Sequence, residues 1–256
     1  MQMENSALGK KIFFVYPPQV LTEVVDELAK QEFEVYLARD HDKLRRCVAK
    51  FPDSILFVNL DDGMSEADWR VYIQALRTKS PTIGIGIVTL NDNAELREFY
   101  LMNAQIQCGF IILKVGAAKT AEILAKTLEA NEARGRRKFV RAVCAPGMGQ
   151  CAANDEGVSI RAELTDLSSA GMAIRIEGGG SLKVGTVLRD MSLTIKGQRI
   201  LVSGVVVAKR ADGSGPDPVS VVMFSPGSMD QARRDKLKTL VFRVNQAAMD
   251  IILERS

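Results

Sequence analysis

From Lys11 to about Ala133, short apolar runs alternate with amphipathic stretches. The apolar runs are Lys11 to Tyr16, Glu34 to Ala38, Ser54 to Leu60, Thr82 to Leu90 and Gly109 to Leu113. Each is strand-sized, and Lys11 to Tyr16 and Ser54 to Leu60 read as buried strands, covered on both faces. Between them lie stretches with helical spacing. Val20 to Gln31 places Leu21, Val24, Val25 and Leu28 on one face. Asp40 to Phe51 opens on the acids Asp40 and Asp42, which suit a helix N-terminus. Helices are also predicted over Glu66 to Thr78, Asn91 to Asn103 (with Asn91 and Asp92 as capping residues) and Ala117 to about Ala133. Five strand–helix units in succession predict a doubly wound parallel sheet.

After Glu132 the period changes. Ala133-Arg134-Gly135-Arg136-Arg137 reads as a helix end running into a basic linker, and alternation replaces the helical pattern. Strands are predicted over Ser159 to Thr165, Met172 to Glu177, Thr186 to Ile195, Gln198 to Lys209 and Val219 to Phe224. In the third, Val187, Met191, Leu193 and Ile195 are expected on one side. Lys196-Gly197 suits a tight hairpin turn and Ala211 to Gly215 a looser one. Short strands with polar turns predict a small antiparallel barrel. From Met229 to Glu254 the helical period returns, with Leu237, Leu240, Val241, Val244, Ala248 and Ile251 as its apolar stripe. That stripe suits packing within the chain, with a homodimer contact as the alternative. The expected domains are therefore an α/β domain over 1–133, a barrel over 134–228 and a terminal helix over 229–256.

Composition alters this picture little. The chain of 256 residues is 46% hydrophobic and 25% charged, with a net charge of +3, which does not by itself call for a nucleic-acid partner. No apolar run reaches the ~20 residues that span a bilayer, and the first residues lack a signal-peptide pattern. A cytoplasmic protein is expected. Cys47, Cys108, Cys144 and Cys151 show no C-x-x-C spacing, and the single histidine, His41, stands apart from three of them. Reduced, buried thiols and no metal site are expected. His41 reads as a surface residue, and no catalytic triad is apparent.

Two motifs carry chemistry. Arg134, Arg136, Arg137, Lys138 and Arg141 place five cations within eight residues, with no acid among them. A guanidinium forks onto phosphate or onto guanine O6 and N7, and it stacks on a purine. Twenty-five residues after Arg141, Asp166 to Gly171 reads D-L-S-S-A-G. A carboxylate only accepts hydrogen bonds, so Asp166 suits the N1–H and N2–H₂ edge of guanine. Ser168 can donate or accept, and Gly171 permits a sharp turn or a close approach.

The first half resembles the receiver domain of bacterial response regulators. Thr89 ends the fourth strand and Lys114 the fifth, where receivers carry such residues. Receiver chemistry also needs acids after the first strand to hold Mg²⁺, and here that place reads Val15-Tyr16-Pro17-Pro18. Asp61, Asp62 or Asn59 stands near the phospho-acceptor position. A degenerate receiver is expected. From about Gly135 to Pro226 the chain resembles the PilZ domain, whose signature is R-x-x-x-R followed by D-x-S-x-x-G. Arg137 and Arg141, with Arg136 beside them, match the first motif; Asp166, Ser168 and Gly171 match the second. This resemblance implies a six- to seven-stranded barrel with the arginine segment as a flap. It implies a non-enzymatic sensor that binds cyclic di-GMP through these six residues, needs no cofactor, and signals to a protein partner in motility, surface polysaccharide or virulence. The alternatives are a phosphorelay receiver with a barrel output and a nucleic-acid binder using the basic run.

Overall fold

The computed structural model describes residues 9–155, 158–211 and 218–255. The chain forms two compact units: one holds the residues up to Lys138 together with those from Gln246 on, and the other holds Phe139–Asn245.

The first unit contains β1 (Ile12–Val15), α1 (Leu21–Lys30), β2 (Val35–Ala38), α2 (His41–Val48), β3 (Ile55–Asn59) and α3 (Glu66–Lys79). It continues with β4 (Gly84–Thr89), α4 (Ala94–Glu98), β5 (Phe110–Ile112) and α5 (Ala117–Ala130). The strands form one parallel sheet in the order β2-β1-β3-β4-β5, the doubly wound arrangement expected. Both faces are covered, so β1 and β3 are buried at every position.

Helix starts follow capping chemistry. Asp40, Ser65 and Asn93 accept from the backbone N–H groups of Lys43, Asp68 and Leu96. For α4 this corrects the expectation: Asn93 is the cap, two residues beyond Asn91, and Phe99–Asn103 then widens into a π-helical turn.

The second unit contains β6 (Arg141–Val143), β7 (Gly149–Asp155), β8 (Val158–Ser168), β9 (Gly171–Ile176), β10 (Val187–Ile195), β11 (Gln198–Arg210) and β12 (Val219–Phe224). The long helix α6 (Gln231–Glu254) follows. Strands β8, β7, β10, β11, β12 and β9 pair antiparallel in that order, and β8–β9 pairing closes them into a six-stranded barrel. β6 is an extra strand beside the end of β8.

Two of these strands, β6 and β7, are not among those the alternation predicts. β7 reads G-Q-C-A-A-N-D; its inward residues include only the small Cys151 and Ala153, too little side chain to register as a hydrophobic alternation. In β10 the alternation itself breaks. The register shifts between Leu188 and Met191, and Asp190 adopts φ 47°. This bulge sends Leu188 inward and leaves Val187 52% exposed, so Val187 does not share a face with Met191, Leu193 and Ile195. The Lys196-Gly197 turn is as expected, with both residues at positive φ (47° and 75°). Most of the looser turn, residues 212–217, lies outside the described residues.

The barrel interior is filled by Leu164, Leu167, Met172, Leu193 and Val222, among others, and closed over by Leu237, Leu240, Val241 and Val244 of α6. The last turns of α6 belong to the α/β unit. There Met249 and Leu253 join the core that contains Leu44, Cys47 and Val48. Ile251, expected in the apolar stripe, is 46% exposed; the helix buries Met249 and Leu253 in its place. Gln246 completes the arrangement. Its Oε1 accepts from Leu37 N–H (2.8 Å) and its Nε2 donates to Leu37 O (2.9 Å). One side-chain amide therefore satisfies both outward backbone groups of Leu37, which in the edge strand β2 would otherwise be open to pairing with another strand.

Candidate functional site

The second motif lies where β8 turns into β9. β8 is bulged: its register against β9 shifts between Leu164 and Asp166, and Thr165 Oγ1 donates to Ala173 O across the irregularity. Beyond the bulge Leu167 points inward with no exposure, so by strand alternation Asp166 and Ser168 project from the outer face. β6 pairs along this same segment, Arg141 opposite Ser168 and Val143 opposite Asp166. Ala142, between them, is fully buried, so Arg141 also faces out. Asn245 Nδ2 donates to Arg141 O at 3.1 Å and helps hold this strand in place. The structure thus brings Arg141, Asp166, Ser168 and Gly171 together on one face of one unit. Arg136 and Arg137 are exposed in the segment before β6 and belong to the other unit.

Ser168 and Gly171 are engaged in shaping the turn. The Ser168 hydroxyl accepts from Ala170 N–H (3.3 Å) and donates to Gly171 O (3.1 Å), and the residue is 7% exposed. A Cβ added at Gly171 would meet Val222 O at 2.3 Å. The glycine is thus required by the close passage of the β12 backbone.

The sequence reading missed one residue. Arg210, the last residue of β11, donates through Nη2 to Asp166 Oδ2 in an ion pair. Its strand is separated from β8 by β12 and β9, so the side chain reaches across both. On β9, the residue opposite Asp166 is the small Ala173. The Asp166 side chain retains 15% exposure and that of Arg210 43%. Nearby, burial first and then the Asp166 and Glu163 carboxylates push the Cys144 thiol up to about 11, so it is no nucleophile at neutral pH. The outer face accordingly offers guanidinium donors around a largely covered carboxylate, flanked by exposed Val143 and Met223. Guanidinium groups so placed can fork onto an anion or stack on a flat ring.

In the α/β unit the strand ends carry a different set. Asn59 is buried at the end of β3, with Nδ2 donating to Tyr16 O and Oδ1 accepting from Asp61 N–H. Asp61 accepts from Thr89 Oγ1 (2.7 Å) and from Leu90 N–H (2.5 Å). Its carboxylate is tied to the end of β4. Lys114 is exposed after β5. His41, expected at the surface, is half-buried. Its Nδ1 shares a hydrogen bond with Tyr16 OH (2.9 Å), and its ring meets Trp69 and Tyr72 edge-on.

Residues 135–243 are a PilZ domain. The family model matches them throughout, and the closed barrel with its extra strand is the architecture found there. Similar solved structures include the PilZ domain with c-di-GMP of YcgR from Escherichia coli, 18% identical at a TM-score of 0.38, covering 45% of this chain and 96% of that one. YcgR of Escherichia coli in complex with c-di-GMP is 16% identical at a TM-score of 0.40, covering 48% of this chain and 51% of that one. The MrkH–c-di-GMP complex of K. pneumonia is 17% identical at 0.36, covering 48% and 55%. This chain thus spans about half the length of those two larger relatives. No curated protein matches it. Among the described residues no helix is long and apolar enough to cross a membrane.

Proposed function

We propose that the protein is a non-enzymatic receptor for cyclic di-GMP, and that the ligand lies on the outer face of the barrel along β6 and β8. The observation that carries this reading is the register of β6 on β8, with Arg141 opposite Ser168 and beside Asp166. Asp166 accepts from a guanine N1–H and N2–H₂. Arg141 forks onto a phosphate or onto O6 and N7. Ser168, whose second lone pair is not used by Ala170, accepts one further bond, and Gly171 keeps the turn in place. Arg136 and Arg137 supply the remaining charge from the segment before β6. Cyclic di-GMP bound in the similar structures of the YcgR PilZ domain, of YcgR and of MrkH supports the choice of ligand.

Contacts from Arg136 and Arg137 that form only in the bound state would give the ligand a higher affinity for one arrangement of the two units. That difference is what lets a ligand shift such an equilibrium. The signal then passes to a protein partner in the cytoplasm.

Calorimetry with the full chain tests the proposal. Cyclic di-GMP is expected to bind, and Arg141→Ala or Asp166→Ala each to cost about 1.5–3 kcal/mol, roughly ten- to a hundred-fold in affinity. No binding, or binding unchanged in both variants, overturns it.

A further inference from the structure

The ion pair between Arg210 and Asp166 joins a residue outside both motifs to the carboxylate that the proposed site depends on. Asp166 accepts through Oδ2, while the pair engages Arg210 through Nη2 alone. A carboxylate has about four acceptor positions and a guanidinium five donors, so neither group is exhausted. Both side chains are partly exposed on the same outer face.

The two groups side by side form a pattern. An acceptor-only group stands next to a donor-only group, aimed outward from the barrel. A guanine presents the complement on adjoining edges: N1–H and N2–H₂ donate from the Watson–Crick edge, while O6 and N7 accept on the edge beside it. Adenine places an N6–H₂ donor where guanine has O6, which would confront the guanidinium donor to donor.

We infer that Arg210 is a further ligand-binding residue, the donor half of an Asp166–Arg210 pair that reads guanine and rejects adenine. This rests on the proposed binding of cyclic di-GMP and goes beyond it by assigning base specificity to a side chain from β11.

The test compares cyclic di-GMP and cyclic di-AMP binding to the unaltered chain, Arg210→Met, Arg210→Lys and the Asp166→Ala/Arg210→Met double variant. Arg210→Met keeps the apolar stem that covers the strands and removes the fork. Cyclic di-GMP affinity is expected to fall about 5- to 150-fold in Arg210→Met, the discrimination of one good bidentate contact. Cyclic di-AMP binding should stay weak and unchanged, so the ratio between the two ligands shrinks. Arg210→Lys should recover only part of the loss, because an ammonium is a point charge without the planar fork. The double variant should lose less than the two single losses multiplied together, the mark of side chains acting as a pair. Unchanged or tighter cyclic di-GMP binding by Arg210→Met, with normal binding by the unaltered chain, would overturn the assignment alone and make Arg210 a bystander or a lock on Asp166. No binding by the unaltered chain overturns this inference together with the function beneath it.

Discussion

Gly171 is the motif residue whose role is easiest to mistake. In D-x-S-x-x-G the glycine looks like a place for a ligand to approach, yet the structure gives it a packing task. A Cβ there would sit 2.3 Å from Val222 O, more than 1 Å inside the shortest ordinary contact. Val222 belongs to a strand paired on both sides, to β11 through Val206 and to β9 through Met172, so the carbonyl cannot retreat without opening a ladder. Gly171→Ala should therefore destabilise the barrel by about 1–3 kcal/mol, the usual cost of overpacking, and toward the upper end because the obstructing atom is backbone. The chain has two units, and a single melting temperature would blend them. Amide hydrogen exchange read peptide by peptide separates them. Exchange over 187–195 and 198–210 should accelerate about 5- to 150-fold, since each 1.36 kcal/mol is tenfold. Peptides from β1 and β3 serve as internal controls. Barrel exchange within two-fold of the unaltered chain would refute the close approach and return Gly171 to the ligand.

Two further outcomes follow from burial. Met249→Ala removes a side chain that is 2% exposed and touches Cys47 Sγ at 3.8 Å; it should destabilise the α/β unit by about 2–5 kcal/mol, seen as faster exchange in peptides from α2 and β2. Alkaline pH should weaken the barrel. Burial pushes the thiols of Cys144 and Cys151 up from 9.0, to about 11 and about 12. The unfolded chain then releases these protons before the folded one does, so the contribution is complete below pH 9 and declines as pH rises toward 11. Denaturation midpoints of the barrel should fall across that window, less steeply in Cys144→Ala or Cys151→Ala than in the unaltered chain. Parallel slopes would refute it.

What the sequence disclosed depended on how each element is buried. The five strands of the first unit are covered on both faces, and continuous runs such as I-F-F-V stand out against their surroundings. β7 is not visible because its inward positions include small side chains, whose burial leaves no contrast. In β10, simple alternation puts Val187 on the face of Met191, but a bulge changes that alternation, and a bulge at Asp190 has no mark in composition. The motif residues could be picked out by spacing, but the register that sets Arg141 against Ser168 is a property of strand pairing. The pairing of Arg210 with Asp166 is hidden in the sequence for the same reason. Lys209-Arg210 looks like the polar end of a strand, and only closure of the barrel by β8 and β9 shows that the arginine faces Asp166. The cap Asn93 shows the limit of local chemistry: Asn91 and Asp92 stand just before it with similar side chains, and only the backbone path brings Asn93 to the N–H of Leu96.

The pairing of Gln246 with Leu37, and the burial of Met249 and Leu253 beside α2, bear on how the protein is made. During synthesis the strands and helices of the α/β unit are complete by Lys138, but its core and its β2 edge stay open until the end of α6 emerges. At about 5–20 residues per second, the 116 residues from Lys138 to Glu254 take roughly 6–23 s to be added. For that interval the nascent chain exposes an unpaired strand edge and the sites that Met249 and Leu253 will fill. The first unit to be translated is thus the last to be finished, and a ribosome stalled within the barrel would hold a chain ready to pair with its neighbours.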